Sequence, residues 1–138
     1  MNDIYLIVNN VDGLQQGSYF YNTSERRLEI LEPGDFRAQA AYLALEQQLA
    51  GDAAVAVFFL ADLDRWLARL GNRGYRAVQL EAGILGGKMY LAAYALRLGA
   101  TGLTFYDDEV AQFFSPHARG KSAIFLTALG QPVKPTLS

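Results

Sequence analysis

The chain has 138 residues, of which 51% are hydrophobic and 19% are charged, and its formal net charge is −2 with a pI near 5.3. This length suits one domain with one core, and the charge provides none of the basic surface that nucleic-acid binding requires. Because the sequence contains no cysteine, disulfides, thiol catalysis and cysteine-ligated zinc or iron–sulfur sites are excluded.

The N-terminal segment MNDIYLIVNN has an acidic start and an apolar run of five residues, and the longest apolar run elsewhere, AAVAVFFLA, spans nine. A membrane-spanning helix needs about 20 mostly apolar residues, and a secretory signal begins with positive charge. We therefore predict no transmembrane helix, no signal peptide and a cytoplasmic protein.

The first predicted elements are strands. The short apolar run 4–8 is typical of a buried strand, and 19–21 with 27–31 predict a hairpin around the turn NTSE. Pro33 and Gly34 end this hairpin because neither continues a strand readily.

A helix and a central strand follow. Asp35 would cap a helix over 36–50, which Gly51 would end. The continuous apolar run 53–60 predicts a strand that is covered on both faces.

Two further helices are predicted on either side of a turn. Asp62 or Asp64 would start a short helix that runs to Leu70, and GNRG would form the turn. The second helix runs from Gly74 to Arg97.

This long helix has almost no polar face, since Lys88 is the one charged residue between 82 and 96. A helix that is apolar on every side must be buried on every side. Its length of about 36 Å, at 1.5 Å per residue, exceeds what a chain of this size can wrap. The charged fraction of 19%, below the usual value of about 25%, also indicates a large buried interface. We therefore predict that a second molecule covers the helix.

Three glycines, Gly83, Gly86 and Gly87, lie inside the long helix. Each is roughly 1 kcal/mol less favourable than alanine there, so each needs a reason. Tight packing is one explanation, and the close approach of another backbone or of a flat ligand is the other. Gly99 would end the helix in the left-handed conformation.

The C-terminal part predicts two more strands, 101–106 and 123–129, with a helical turn between them that Asp107 or Asp108 would cap and that runs to Phe114. Strands and helices of this kind predict an α+β domain with a mixed sheet.

Three segments carry a family resemblance: NNVDGLQQGSYFYNTSERRLEIL, GNRGYRAVQLEAGILGGKMYLAAYALRLGATG and TFYDDEVAQFF. They resemble the C-terminal part of nitroreductase-fold flavoproteins, closest to the SagB-type dehydrogenase branch, which includes azoline-oxidising enzymes. The resemblance implies one nitroreductase-like α+β domain over 1–138, a partial fold built around a long dimerisation helix. It also implies a homodimer with FMN at the interface and electron or hydride transfer to a small-molecule or peptide substrate.

Two departures from the family pattern are visible. The Arg-Ser-x-Arg-type motif, which grips the flavin in longer family members, has no counterpart here, and Arg69 and Leu70 stand where azoline-oxidising members have a Lys-Tyr pair. Two alternatives to an FMN enzyme therefore stay open. One is a non-catalytic half that dimerises or complements another flavin-binding chain, and the other is a small binding module without flavin.

The resemblance assigns four residues to FMN, and two cations are further candidates. Gly102, Leu103, Thr104 and Phe105 match the backbone segment that lies against the flavin, and an ordinary core strand is the alternative for them. Converging cations can bind a phosphate, so Arg119 and Lys121 would contact the flavin phosphate unless they are solvated loop charges. Lys134 is a weaker candidate, and no catalytic residue is assigned.

Other polar residues receive plainer interpretations. The acidic run 107–109 predicts helix capping rather than a metal site, because consecutive side chains diverge. His117, the single histidine, is expected to be a solvated loop residue. SPHARGKS lacks the first glycine of a phosphate loop, where Ser115 stands, so none is predicted.

Three polar residues at the entry to the long helix, Arg73, Tyr75 and Arg76, match a family cluster, and Glu81 is nearly the only acid on that helix. Structural ion pairing is one interpretation of these residues, and a role towards substrate or flavin is the other. The spacing of Arg76 and Glu81 is poor for a pair within one helix, so a partner in the other subunit is expected for either residue.

Overall fold

The computed structural model describes residues 1–132, which form six strands and five helices. The strands are β1 (Asn2–Val8), β2 (Gly17–Asn22), β3 (Arg27–Pro33), β4 (Val55–Ala61), β5 (Gly99–Leu103) and β6 (Ser122–Gly130). The helices are α1 (Arg37–Leu43), α2 (Gln48–Asp52), α3 (Leu63–Leu70), α4 (Asn72–Ala95) and α5 (Asp107–Phe113).

The strands form one sheet in the order β3-β2-β1-β4-β6-β5, so the predicted α+β class is confirmed. Every neighbouring pair of described strands is antiparallel, which differs from the mixed sheet expected from the sequence. The direction of a strand depends on the route by which the chain returns to the sheet, and the side-chain pattern of one strand does not record that route.

The predicted central strand is confirmed as β4, which is buried at all seven positions. Its side chains alternate between two cores. Ala56, Phe58 and Leu60 pack with residues of α1, α2 and α5, whereas Val57 and Phe59 pack with residues of α4. The sheet is therefore covered by helices on both faces at its centre.

The helix predicted over 36–50 is divided into α1 and α2. Leu45 and Glu46 both have positive φ angles, 54° and 61°, which no helix accommodates. Gly51 lies inside α2 rather than ending a helix, and a Cβ there would come within 2.9 Å of the Arg37 carbonyl oxygen. The glycine lets α2 pack closely on α1.

Carboxylates lie at the N-terminal ends of two helices, α3 and α5, and interact with them in different ways. Asp62 caps α3 as predicted, because its side chain accepts a hydrogen bond from the backbone N–H of Arg65 at 3.2 Å. The capping predicted for Asp107 or Asp108 is wrong, since no side-chain cap is formed at α5. Both carboxylates lie in its first turn, where they interact favourably with the helix dipole.

The turn predicted at GNRG is wrong, because α4 begins at Asn72. Only Gly71 separates α3 from α4, and its φ of +61° allows the change of direction. Two turns of the chain meet there: a Cβ on Gly74 would lie 2.5 Å from the carbonyl oxygen of Trp66.

The end of α4 also differs from the prediction. The helix ends at Ala95, and Arg97 rather than Gly99 takes the left-handed conformation, with φ +60°. The N–H of Leu98 then donates to the carbonyl of Ala93 at 2.7 Å, which is the closing hydrogen bond of a Schellman motif. Gly99 is already the first residue of β5.

The long helix is buried on one side only within this chain. Its buried residues are Gly74, which packs on α3, Val78, Ala82 and Gly86, which pack on the sheet, and Ala93. Its outer face exposes Leu80 by 67%, Ile84 by 52%, Leu91 by 72% and Tyr94 by 60%. The outer face is therefore an apolar surface that no other described element of the chain covers.

Substituting alanine for Gly74 should lower the free energy of unfolding by about 1–3 kcal/mol, because the new Cβ would collide with backbone and push α4 away from α3. Urea unfolding measures the change. Arg73→Ala, at the neighbouring exposed position, is the control and should stay within about 0.5 kcal/mol of wild type. Equal stability of Gly74→Ala and wild type would contradict the close approach.

Candidate functional site

Four residues predicted to contact a cofactor lie together at one edge of the sheet. Gly102 and Leu103 belong to β5, and Thr104 and Phe105 follow it directly. The strand predicted over 101–106 therefore ends three residues early.

After β5 the chain leaves the sheet, because hydrogen bonds connect it to α1 and to the loop that follows α1. The backbone N–H of Tyr106 donates to the carbonyl of Leu43 at 2.9 Å, and the side-chain amide of Gln47 donates to Oγ1 of Thr104 at 3.0 Å. Phe105 packs partly against the same core. These contacts fix the link between β5 and α5.

A cavity of about 360 Å³ opens beside this link. β5 pairs with β6 only from Leu126 onward, so the preceding residues 122–125 of β6 have no strand partner on that side within the described chain. The cavity is lined by this strand edge and by Leu63, Tyr75, Gln79, Phe105, Asp107 and Asp108. Its two carboxylates favour neutral or cationic groups over a phosphate.

The two predicted phosphate cations differ in their surroundings. Arg119 is exposed, whereas the Lys121 side chain is only 19% exposed and lies 2.9 Å from the Asp3 carboxylate. The Lys121 ammonium also donates to the Tyr5 hydroxyl oxygen at 2.8 Å. Lys121 is therefore engaged across the sheet, and Lys134 lies outside the described residues.

His117 is an exposed residue of the loop after α5, as expected from the sequence, and it also makes two contacts with the sheet. Its ring is 4.3 Å from that of Phe20, and its Nδ1 lies 2.7 Å from the Tyr5 hydroxyl. An ammonium can only donate, so the Tyr5 oxygen accepts from Lys121 and its O–H donates to Nδ1. His117 thus anchors the loop after α5 to β1.

Burial and hydrogen bonding shift two pKa values in this cluster. Burial raises the pKa of the Tyr5 hydroxyl more than its hydrogen bond from Lys121 lowers it. Burial acts to lower the pKa of Lys121, but its bonds to Tyr5 and Asp3 outweigh that effect and raise it. Both groups hold their protons more tightly in the folded chain than in the unfolded one.

Within residues 1–132, no three carboxylate or imidazole groups come together as a possible metal site. No helix in the same range combines the length and the apolar character needed to cross a bilayer.

Comparison with protein families places this arrangement. The model of the nitroreductase family matches residues 3–128, nearly the whole chain. The chain belongs to the nitroreductase family. Among its relatives, a protein described as a nitroreductase, MJ1384 from Methanocaldococcus jannaschii, is 29% identical over 111 residues, or 80% of this chain and 56% of that protein.

Solved nitroreductase-family structures have the same fold. A protein from Anabaena variabilis, also described as a nitroreductase, is 34% identical with a TM-score of 0.90, over 96% of this chain and 27% of that one. The Escherichia coli microcin synthetase McbBCD complex, with truncated pro-MccB17 bound, contains a chain that is 18% identical with a TM-score of 0.80, over 96% and 52%. The NADPH:FMN oxidoreductase of Vibrio harveyi, complexed with NAD⁺, is 22% identical with a TM-score of 0.56, over 74% and 50%. This nitroreductase-family chain spans about half the length of the curated relative it matches.

Among the polar residues near the start of α4, Glu81 has hydrogen-bond partners within its own chain. Glu81 accepts hydrogen bonds from the backbone N–H of Asn2 at 2.7 Å and from its side-chain amide at 3.2 Å. Burial acts to raise the pKa of Glu81, but these bonds outweigh it and lower the pKa. Glu81 therefore finds a partner in its own chain, and Arg73 and Arg76 are exposed.

Arg69 and Leu70, the residues expected to stand in place of a Lys-Tyr pair, lie near the end of α3. The Arg69 guanidinium is 5.4 Å from the centre of the Trp66 ring, and Arg65 lies over the same ring at 5.5 Å. Such contacts are favourable for a cation on an aromatic face. Leu70 is partly exposed and supplies no proton donor.

Sequence reasoning missed Tyr90, whose hydroxyl oxygen accepts a hydrogen bond from the backbone N–H of Gly102. The available signal was its position four residues after Gly86, which places both on neighbouring turns of one helix side. For Tyr5 the sequence predicts only a place in a buried strand.

The raised pKa values of Lys121 and Tyr5 predict a loss of stability in alkali. Their stabilising effect is complete below their unfolded pKa values of about 10 and is lost as the pH rises through the folded values. Tyr5→Phe removes one of the two raised pKa values and also one of the bonds that raise the other, so it should give a shallower fall in unfolding free energy between about pH 9 and 11 than wild type shows. Urea unfolding at a series of pH values tests this, with Tyr21→Phe, on β2, as the control. Identical slopes for wild type and Tyr5→Phe would contradict it.

Proposed function

We propose that this chain is a subunit of an FMN-dependent oxidoreductase that moves electrons or hydride at a flavin bound between two copies. The observation that carries this proposal is the nitroreductase-family match over residues 3–128, which includes the whole predicted cofactor segment. The NADPH:FMN oxidoreductase with the same fold supports FMN as the cofactor.

The described residues fit the ring of FMN better than its phosphate. The backbone of 103–105 leaves the sheet beside an open strand edge, where peptide groups can meet the polar edge of a flat ring. Lys121 is paired with Asp3, and carboxylates line the neighbouring cavity. We therefore assign ring contacts to 103–105, and we expect Arg119 to share the phosphate with cations from a second copy or a second chain.

When bound, FMN would supply the redox chemistry by accepting a hydride and passing electrons to a substrate. The role of this chain is to bind and orient it. Peptide groups in 103–105 suit that role because they do not titrate, so their hydrogen bonds do not depend on pH. The contacts of Thr104 with Gln47 and of Tyr106 with Leu43 hold the segment in place.

The proposed partner on the outer face of α4 is a second copy of this chain. Leu80, Ile84, Gly87, Leu91 and Tyr94 are spaced alternately by four and three residues and cover an arc of about 80° on a helix of 3.6 residues per turn. A narrow apolar stripe of this kind suits a neighbouring helix, and the same stripe on a second copy complements it about a twofold axis.

The alternative is a half-domain that complements another flavin-binding chain. Its support is the length relation, since this chain covers 56% of MJ1384 and 27% of the Anabaena variabilis protein. In this case the second chain would supply the arginine motif that the sequence lacks. The same α4 face would then contact that chain instead of a second copy.

Assignment to the SagB-type branch rests on the segments quoted from the sequence and on the fold shared with a chain of the microcin synthetase complex. That complex contains a bound precursor peptide, so a peptide substrate is one proposal and a small molecule is the other. Leu70 disfavours azoline oxidation because it replaces a tyrosine that could exchange a proton.

The test of cofactor binding is the visible absorbance of the purified chain. We expect a yellow protein, or one that binds added FMN with quenching of flavin fluorescence at stoichiometric concentrations. A colourless chain that becomes yellow only with a second, complementing chain would favour the half-domain. A colourless dimer that ignores added FMN would contradict both proposals.

Dimer formation is tested by placing a charge in the stripe. Leu91→Lys should convert the dimer to a monomer at micromolar concentration, because the ammonium would be buried without a partner. Leu96→Lys is the matched control, since Leu96 is 71% exposed, against 72% for Leu91, but points away from the stripe. Analytical ultracentrifugation separates the two states. A wild-type chain that stays monomeric at high concentration would exclude the homodimer.

A further inference from the structure

The hydroxyl group of Tyr90 reaches from α4 to the edge strand of the sheet. There the backbone N–H of Gly102 donates a hydrogen bond to the Tyr90 oxygen, in a partly buried position. The two residues lie on different elements, so this bond ties the flank of the long helix to β5.

The bond uses a backbone group that would otherwise be open. β5 is the last strand of the sheet and has a neighbour, β6, on one side only among the described residues. An edge strand offers unpaired N–H groups to any passing strand. By accepting from Gly102, Tyr90 satisfies one of these groups and keeps it from other acceptors.

Packing fixes the same peptide from a second direction. A Cβ on Gly102 would lie 3.0 Å from Cζ of Phe125 and 3.3 Å from the Tyr90 oxygen. On the other side of the ring, a Cβ on Gly86 would lie 2.7 Å from Cε1 of Phe125. Phe125 therefore lies tightly between α4 and β5, and its ring leaves little room for a side chain at Gly86 or Gly102.

From this geometry we infer that Tyr90 is a positioning residue for the flavin-binding segment, and this inference rests on the proposed function. Its hydroxyl holds the Gly102 peptide, so that the peptide groups of 103–105 project from a fixed point towards the ring. The Gly102 N–H is then used within the chain, so in this inference Gly102 fixes the position of the segment rather than donating to the flavin.

The variant Tyr90→Phe removes the hydroxyl and keeps the ring. The matched control is Tyr21→Phe, on β2, whose hydroxyl has no hydrogen-bond partner within the described chain and which lies outside both the cofactor segment and the apolar stripe of α4. In the flavin-free protein, NMR-detected hydrogen exchange of the Gly102 amide should become about 3- to 10-fold faster in Tyr90→Phe and stay unchanged in Tyr21→Phe.

The second readout is the flavin itself. In Tyr90→Phe, the dissociation constant of FMN should rise by about the same factor of 3 to 10, and the visible circular dichroism of bound FMN should change because the ring is held differently. Tyr21→Phe should match wild type in both. Where FMN binds only to an assembled complex, the same variants are measured in that complex.

The outcomes separate this inference from the proposed function. Faster Gly102 exchange with unchanged FMN affinity and dichroism would overturn the positioning role and reduce Tyr90 to a purely structural contact. Unchanged exchange would overturn the hydrogen bond. A different outcome is faster Gly102 exchange in Tyr90→Phe together with a wild-type protein that binds no FMN under any condition. That outcome would overturn the proposed function, and the positioning role would fall with it.

Discussion

The ring of Phe125 fills a gap that only glycine leaves, and the position of α4 depends on it. The ring stacks on Phe59 of the central strand at 5.9 Å and occupies the space where Gly86 and Gly102 would carry Cβ atoms. One side chain thus sets the distance from helix to sheet and the place of the edge strand. Close packing allows little adjustment at such a contact. The apolar outer face of α4 and the segment after β5 are therefore presented by one packed unit.

The strands could be predicted from the sequence because their signal is local. The apolar run of β4 shows its burial in its own residues, and the two halves of the β2–β3 hairpin show strand-forming residues on either side of a turn, although β3 is largely exposed. Helix ends are harder to predict from the sequence, because tertiary contacts override the local conformational preferences of the residues. Gly99 was the better candidate for a left-handed helix end by propensity, yet Arg97 takes that conformation because the chain must enter β5 immediately afterwards.

The candidate site divides in the same way. The family resemblance points to the segment 102–105 because it lies between two recognisable elements, and its contact with a cofactor stays a prediction. The surroundings of Lys121 could not be predicted from the sequence, because its partners Asp3 and Tyr5 are more than a hundred residues away in the chain. A lysine in a loop with glycine and serine neighbours has the same local pattern whether it is solvated or buried under a salt bridge. Only the pairing of β6, β4 and β1 brings these groups together.

Two adjacent glycines in α4, Gly86 and Gly87, lie in different surroundings. Gly86 faces Phe125 and has no room for a side chain, whereas Gly87 faces outward with nothing within 4 Å. An outward glycine in a helix is roughly 1 kcal/mol less favourable than alanine, and no contact within the chain offsets this. The absence of a side chain does, however, let a second backbone approach the stripe formed by Ile84 and Leu91. Because Gly86 and Gly87 are consecutive, a rotation of α4 that improved one contact would displace the other. In the proposed dimer, contacts on both sides would therefore constrain the helix at a single turn, and the subunit interface would be linked to the strand that precedes the proposed cofactor segment.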